Sequence, residues 1–306
     1  MGRKTIIITG LPIFAKKMRD DLASFDANNR YVVLNTYYSK WDKILFICWL
    51  PFSSLVISLN GVSDRSRSLD WVIRFRKNLI MQWMGTDALL AMERYKKGAI
   101  FRKYLDYATH FVDSPWQQEE VKSLDLPIQI VPFKYGREII PVEKYEKMYI
   151  LTYIAASRKV FYGWESVKTA AKAFPSLEFR VVGMENDDDA FPDNIQLLGW
   201  LDAEKMAEEL RNAPIFLRMT EHDGFSVSVI EALSVGAEVI WTHPSECIHF
   251  VQNDAEMNHK LAEVLKLIED RNGIPNKETI TFCNKTYNRQ QLMVNYLSEL
   301  QKIMST

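Results

Sequence analysis

The sequence predicts an α/β protein of two successive domains, each a parallel sheet covered by helices on both faces. Three observations lead there. Short apolar runs such as Thr5-Ile6-Ile7-Ile8-Thr9, Leu55-Val56-Ile57-Ser58-Leu59 and Pro214-Ile215-Phe216-Leu217 lack the in–out alternation of a half-exposed strand, so both faces of each must be covered. Segments of helical character separate them. The alternation breaks at the charged, turn-rich stretch from Pro132 to Lys147 and then restarts. With 306 residues, a two-domain length, the boundary is expected near residue 143, giving domains 1–143 and 144–306.

Composition narrows the class. Hydrophobic residues at 47% and charged residues at 25% are the balance of a soluble globular protein. Cys48, Cys247 and Cys283 share no ligand-like spacing, so a reduced, cytoplasmic setting without disulfides or a zinc site is expected. The five-residue apolar run after Met1-Gly2-Arg3-Lys4 is too short for a signal peptide, and Gly2 lacks the Ser or Thr that myristoylation wants. Ile44 to Leu59 is nearly uncharged, but Pro51 and three serines interrupt it; it reads as a helix end followed by a strand. The five histidines form no H-x3-H or H-E-x-x-H arrangement, so no metal site is expected. No G-x-S-x-G offers a nucleophilic serine, and no G-x-G-x-x-G follows the first strand, which counts against a dinucleotide enzyme. Residues 1–147 hold 23 Lys and Arg against 16 Asp and Glu, and the remainder 15 against 23. Such asymmetry suggests that the first half meets something anionic.

In order, the first half offers a strand ending at Gly10-Leu11-Pro12, a helix to about Phe25, and a strand Tyr31 to Leu34. Leu55 to Leu59 follows, stopped by Asn60-Gly61, then a basic segment around Trp71. Leu79 to Trp83 is closed by Met84-Gly85-Thr86-Asp87, and strands Thr109 to Val112 and Ile128 to Val131 complete the set. The second half begins with a strand Met148 to Ala155, the loop Ala156-Ser157-Arg158-Lys159 and a helix Gly163 to Ala173. Strands Leu177 to Gly183 and Asn194 to Leu201 come next, with an acidic insertion of no assigned role, Glu185 to Asp189, between them. Amphipathic helices Lys260 to Ile268 and Tyr287 to Met304 close the chain, the last expected to pack back on the first domain.

The stretch from Thr220 to Ile240 organises the second half. A strand ends, the chain turns through Asp223-Gly224, a helix carries Val227, Ile230, Glu231 and Leu233, and Gly236 precedes the strand Ala237 to Trp241. A helix N-terminus at the carboxyl end of a parallel strand offers backbone N–H groups and a positive dipole end to an anion. Asp223 and Glu231 flank that site. A ligand with a central diphosphate and hydroxyl-rich ends would suit it; Asp223 also stands where an N-cap would.

This stretch resembles the E-x7-E region of retaining GT-B glycosyltransferases of the "group 1", or family 4-like, type, usually E-G-F-G-L-x-x-x-E-A-x-x-x-G-x-P-V. Asp223 stands for the first Glu, Gly224-Phe225 match, Ser226 replaces Gly, Glu231-Ala232 and Gly236 fall in register, and Glu238 replaces Pro. Arg158 and Gly163 match the family's G-R-x-x-x-x-K-G loop, with Tyr162 at the Lys position and Lys159 or Arg218 as alternative cations. Leu177 to Gly183 and Asn194 to Leu201 resemble its L-x-I-V-G and N-V-x-F-L-G-x-V strands. Gly85-Thr86-Asp87 resembles its R-G-T-D turn. The likeness runs in order from about residue 150 to 245.

The resemblance implies two Rossmann-like domains facing a central cleft and metal-independent transfer, with retention, from a UDP- or GDP-sugar to a glycan or lipid-linked acceptor. No cofactor and no nucleic acid are implied. Glu231 would take ribose hydroxyls; Arg158, Lys159 and the amides at Ser226 and Val227 the diphosphate. Asp223 would steady charge at the anomeric carbon and Asp87 share the catalytic role. Gly183, Leu201, Gly224 and Phe225 would line the donor site; Gly10, Gly85 and Thr86 the cleft on the first domain. A catalytically degenerate binder and a nucleotide-sugar epimerase are the alternatives. Arg94 to Tyr104 packs five cations and three aromatics into 11 residues, with Arg65, Arg67, Arg74, Arg76 and Lys77 nearby. Peripheral contact with an anionic membrane is expected there.

Overall fold

The computed structural model describes residues 3–305; Met1, Gly2 and Thr306, and the expectation made for Gly2, lie outside the described residues. The chain divides into two compact units. One comprises the residues up to Lys134 and from Arg289 onward, the other Tyr135–Asn288. The division thus falls earlier than residue 143. The reason is local: the backbone N–H of Tyr145 donates to Gly273 O at 2.9 Å, its ring is buried, and Arg137 binds Glu231, so the turn-rich stretch is fastened to the second unit.

The first unit carries β1 (Thr5–Gly10), α1 (Pro12–Phe25), β2 (Arg30–Val33), α2 (Lys40–Trp49), β3 (Ser53–Leu59), α3 (Arg67–Arg74), β4 (Asn78–Gln82), α4 (Thr86–Lys96), β5 (Thr109–Val112), α5 (Pro115–Glu120) and β6 (Ile128–Ile130). Its strands are all parallel and ordered β2-β1-β3-β4-β5-β6. Ile6, Ile7 and Ile8 are each wholly inaccessible, as the unbroken apolar run demands. Serine side chains begin α2 and α3, Ser39 accepting from the Asp42 amide and Ser66 from that of Leu69.

In the second unit come β7 (Tyr149–Tyr153), α6 (Trp164–Ala173), β8 (Glu178–Val182), β9 (Ile195–Gly199), α7 (Ala203–Asn212), β10 (Ile215–Arg218), α8 (Val227–Ser234), β11 (Glu238–Trp241), β12 (Ile248–Phe250), α9 (Asp254–Asp270) and α10 (Lys277–Thr286). Here the parallel order is β12-β11-β10-β7-β8-β9. The chain winds outward from β7 through β8 to β9, then restarts on β7's other flank with β10. This is the doubly wound arrangement, with its switch point between β7 and β10.

The last helix, α11 (Arg289–Ser305), belongs to the first unit. Its Tyr296 is fully buried, donates to Gln82 Oε1 at 3.2 Å, and stands edge-on to Phe111 and Phe133. Arg289 pairs with Asp21 at 2.8 Å. The aromatics of the basic stretch Arg94 to Tyr104 turn mostly inward: Tyr104 is inaccessible and hydrogen-bonded to Ser66 O, and Ile100 and Phe101 pack on the same core. The expected basic and aromatic surface is therefore basic only, Tyr95 excepted. No helix among the described residues is long and apolar enough to cross a membrane.

Glu238, where the resembled family has proline, is the buried hub of the second unit. It receives Arg271 at 2.5 Å, Asn276 at 3.0 Å and His249 at 2.7 Å, tying β11 to β12, to the end of α9 and to the cap of α10. Burial opposes its charge, but His249 and Arg271 together hold its carboxyl below the ordinary value of 4.5. The unfolded chain then binds the proton more readily, so this stabilisation is present above about pH 4.5 and fades as pH falls through the depressed native value. Urea midpoints measured across the acid range should fall less steeply for Glu238→Gln than for the parent protein; equal slopes would remove Glu238 as the source.

Candidate functional site

Because every strand of the second sheet is parallel, the loops after β7, β8, β9 and β10 emerge along one edge, and the reversal at β7 brings the first and last of these together. Gly163 shows how closely. It has φ +78°, and a Cβ there would lie 2.0 Å from Met219 O, so only glycine lets the β7–α6 loop touch the β10–α8 loop. The Glu221 N–H donates to Phe161 O at 2.9 Å across the same seam.

Three of the expected residues meet at this seam. Arg158 follows β7 and stacks its guanidinium 3.8 Å from the Phe161 ring centroid. Arg218, the last residue of β10, pairs with Asp223 at 2.5 Å and lies 5.5 Å over Tyr162. Of the two alternative cations, Arg218 thus stands against the tyrosine that replaces the family's lysine. Lys159 does not: Asp187 at 2.5 Å and Asp189 at 3.1 Å hold it. The acidic insertion therefore has an occupation, since Asp187 also accepts from Trp164 Nε1.

Asp223 is not the cap of α8; Ser226 is, and its hydroxyl bonds to that of Ser228 at 2.9 Å rather than to a backbone amide. The first turn of α8 has no intrahelical acceptor for its N–H groups, and it opens at the edge where Arg158 and Arg218 stand. The Asp223 loop is held in position by His243, which no motif in the sequence singles out. Its Nε2 accepts the Asp223 N–H at 3.2 Å, while Nδ1 lies 3.3 Å from Thr242 Oγ1. The Thr242 hydroxyl donates to Thr220 O, so the Thr242 oxygen is left to accept and the imidazole is the neutral Nδ1–H tautomer.

Phe225 has its ring buried against Trp241 and Tyr287, so it anchors the loop and leaves main chain to face a ligand. Gly183 ends β8 against β7, and Leu201 follows β9, both on the same edge. Glu231 lies one turn into α8 and is 4% exposed. Arg137 takes both of its carboxylate oxygens, Nε to Oε1 at 2.8 Å and Nη2 to Oε2 at 3.3 Å, and donates through Nη1 to Ala203 O. The position expected to receive ribose hydroxyls is thus closed by an arginine of the same unit.

The first unit has its own carboxyl edge, with its switch point between β1 and β3. Gly10 has φ +111°, and a Cβ would meet Leu59 O at 2.6 Å. A cavity of about 660 Å³ opens beside it, lined by Gly10, Asp87, Lys43, Arg65 and Arg67 among others. Asp87 is buried at the edge of this cavity and accepts N–H groups from Gly61 at 2.5 Å, Gly85 at 2.7 Å and Met84 at 3.0 Å. Burial pushes its carboxyl up while those donors pull it back. With its oxygens accepting main-chain N–H groups, Asp87 braces the loops after β3 and β4. Gly85 and Thr86 begin α4 and are not among the cavity's lining residues. Among the described residues no group of three or more His, Cys, Asp or Glu is placed to hold a metal ion.

Gly163→Ala should lower stability by more than the roughly 1–2 kcal/mol of left-handed backbone strain alone, because the added methyl must part the two loops. Chemical denaturation of the variant checks this, and a loss within error of zero would mean the seam is loose.

No family profile matches the chain, and no curated protein sequence matches it. Solved structures do. A sucrose-phosphate synthase from Thermosynechococcus elongatus superposes over 99% of this chain and 100% of its own, with a TM-score of 0.74 and 13% identity. For a glycosyltransferase involved in avilamycin A biosynthesis the figures are 99%, 98%, 0.61 and 10%. A UDP-GlcNAc 2-epimerase from Neisseria meningitidis, solved with UDP-GlcNAc, covers 97% and 100% with a TM-score of 0.57 and 12% identity. At such identities the likeness is one of architecture, and the chain has the two-domain GT-B fold.

Proposed function

We propose that the protein is a glycosyltransferase whose second unit holds a nucleoside-diphosphate sugar. The observation that carries this reading is the switch point of the second sheet, where Arg158, the Arg218–Asp223 pair and the first turn of α8 share one edge. A diphosphate laid against that turn meets backbone N–H groups, a helix dipole and two guanidinium groups. Charge on the departing diphosphate is then balanced without a metal ion. Asp223, beside the cations, would bind sugar hydroxyls and oppose the positive charge growing at the anomeric carbon. Retention of configuration follows the resemblance to E-x7-E enzymes, and the acceptor would be a glycan or a lipid-linked sugar.

Two other readings have specific support. One similar structure is an epimerase bound to UDP-GlcNAc. Asp223, Ser226 and Tyr162, where the resembled family has Glu, Gly and Lys, support a binder that has lost chemistry. Calorimetric titration against UDP-, GDP- and ADP-sugars, followed by assay for transfer, donor hydrolysis and epimerisation, separates all three; no nucleotide binding at all would sink the donor site.

Glu231→Ala should weaken nucleotide binding by about 1.5–3 kcal/mol, the range for a charged hydrogen bond lost. Unchanged affinity in the folded variant would show that Arg137 is the only partner of this carboxylate. Transfer should also survive EDTA. Activity abolished by chelation and restored by manganese would replace the charge-balance argument with metal assistance.

A further inference from the structure

Helix α2 is built the wrong way round for a protein surface. Trp41, Ile44, Leu45 and Cys48 recur at i, i+3, i+4 and i+7, one stripe of the helix, and all four are exposed, Trp41 at 76% and Ile44 at 54%. Phe46 alone on this helix is fully buried. Tyr37 and Tyr38 before the helix and Phe52 after it are each more than 70% exposed and extend the stripe at both ends. A contiguous apolar surface of this kind marks a contact site.

Its neighbours name the partner. Lys40 and Lys43 border the stripe, and Lys43, Ile47 and Tyr37 also line the 660 Å³ cavity, whose far wall carries Arg65 and Arg67. None of these four cations forms an ion pair among the described residues, although Arg65 lies 5.6 Å over the Phe101 ring; of the nearby acids, Asp64 is paired with Arg94, Asp70 with Lys103, and Asp42 Oδ2 accepts the Asn35 N–H. Apolar and aromatic side chains beside cations that have no ion-pair partner fit a surface that is anionic outside and hydrocarbon within.

We propose that α2 seats the first unit on an anionic membrane surface, its Trp41–Cys48 stripe entering the headgroup boundary while Lys43, Arg65 and Arg67 take a lipid phosphate at the cavity mouth. This moves the membrane face away from Arg94 to Tyr104, whose aromatics are largely interior. It does not depend on the donor site, which lies in the other unit.

Sedimentation with phosphatidylcholine vesicles, with and without phosphatidylglycerol, tests it. The protein should bind the anionic vesicles at low salt and lose affinity as salt rises. Trp41→Ser combined with Leu45→Ser should lower vesicle affinity at least about tenfold, a single step of 1.4 kcal/mol, with nucleotide titration unaltered. Lys43→Gln with Arg67→Gln should weaken only the anionic-lipid component, roughly fivefold per charge. Absence of binding to anionic vesicles at low salt, or equal binding by the Trp41/Leu45 variant, overturns the proposal. So does a dimer in light scattering that this variant converts to a monomer, since a second copy would then be what covers the stripe.

Discussion

When a parallel sheet is wound first to one side of its starting strand and then to the other, two successive loops must diverge at that strand, and a crevice is left at their carboxyl ends. In the second unit the starting strand is β7, and almost every feature of the candidate site follows from its place in the middle of the sheet. The loop after β7 and the loop after β10 are 60 residues apart in sequence but share a seam tight enough to require Gly163. Arg158 is delivered by the first loop and Arg218, Asp223 and the start of α8 by the second. The side chains need no special folding device of their own; strand order alone makes them neighbours.

What strand order does not set is how those charges are satisfied, and here the chain takes an economical course. Asp223 is paired with Arg218, Glu231 with Arg137 and Lys159 with Asp187. Glu231, almost wholly buried, would be costly to leave without its partner. The pairs also set a threshold for binding. On the proposed reading, a nucleotide sugar has to offer each carboxylate and cation at least what its present partner offers, so selectivity rests on exchange of partners as much as on complementarity of shape.

The strands and most helices were legible because burial of both faces leaves an unbroken apolar run that cannot be mistaken for a half-exposed strand. β12 was not, since three residues with intermediate or exposed side chains carry almost no pattern. The order of loop motifs was legible too, because each follows a strand end. Partnerships were not: nothing in the sequence joins Arg137 to Glu231, 94 positions away, or shows that His243 accepts the Asp223 amide. Nor does the turn Gly85-Thr86-Asp87 show that the Asp87 carboxylate accepts amides from two loops, since that depends on β3 and β4 being adjacent. The exposed stripe of α2 was hidden for a similar reason. Ile44 and Leu45 have the composition of a core, and only coordinates tell that the core lies on the other side of the helix.

The placement of α11 bears on how the first unit is completed. The second unit is continuous in sequence, Tyr135–Asn288, but the first is closed by a helix that follows the whole of the second. Without Tyr296, Gln82 lacks its hydroxyl partner and Phe111 and Phe133 lack the ring that covers them. A chain cut after α10 would keep every element of the second unit and would lose from the first the helix that supplies these contacts.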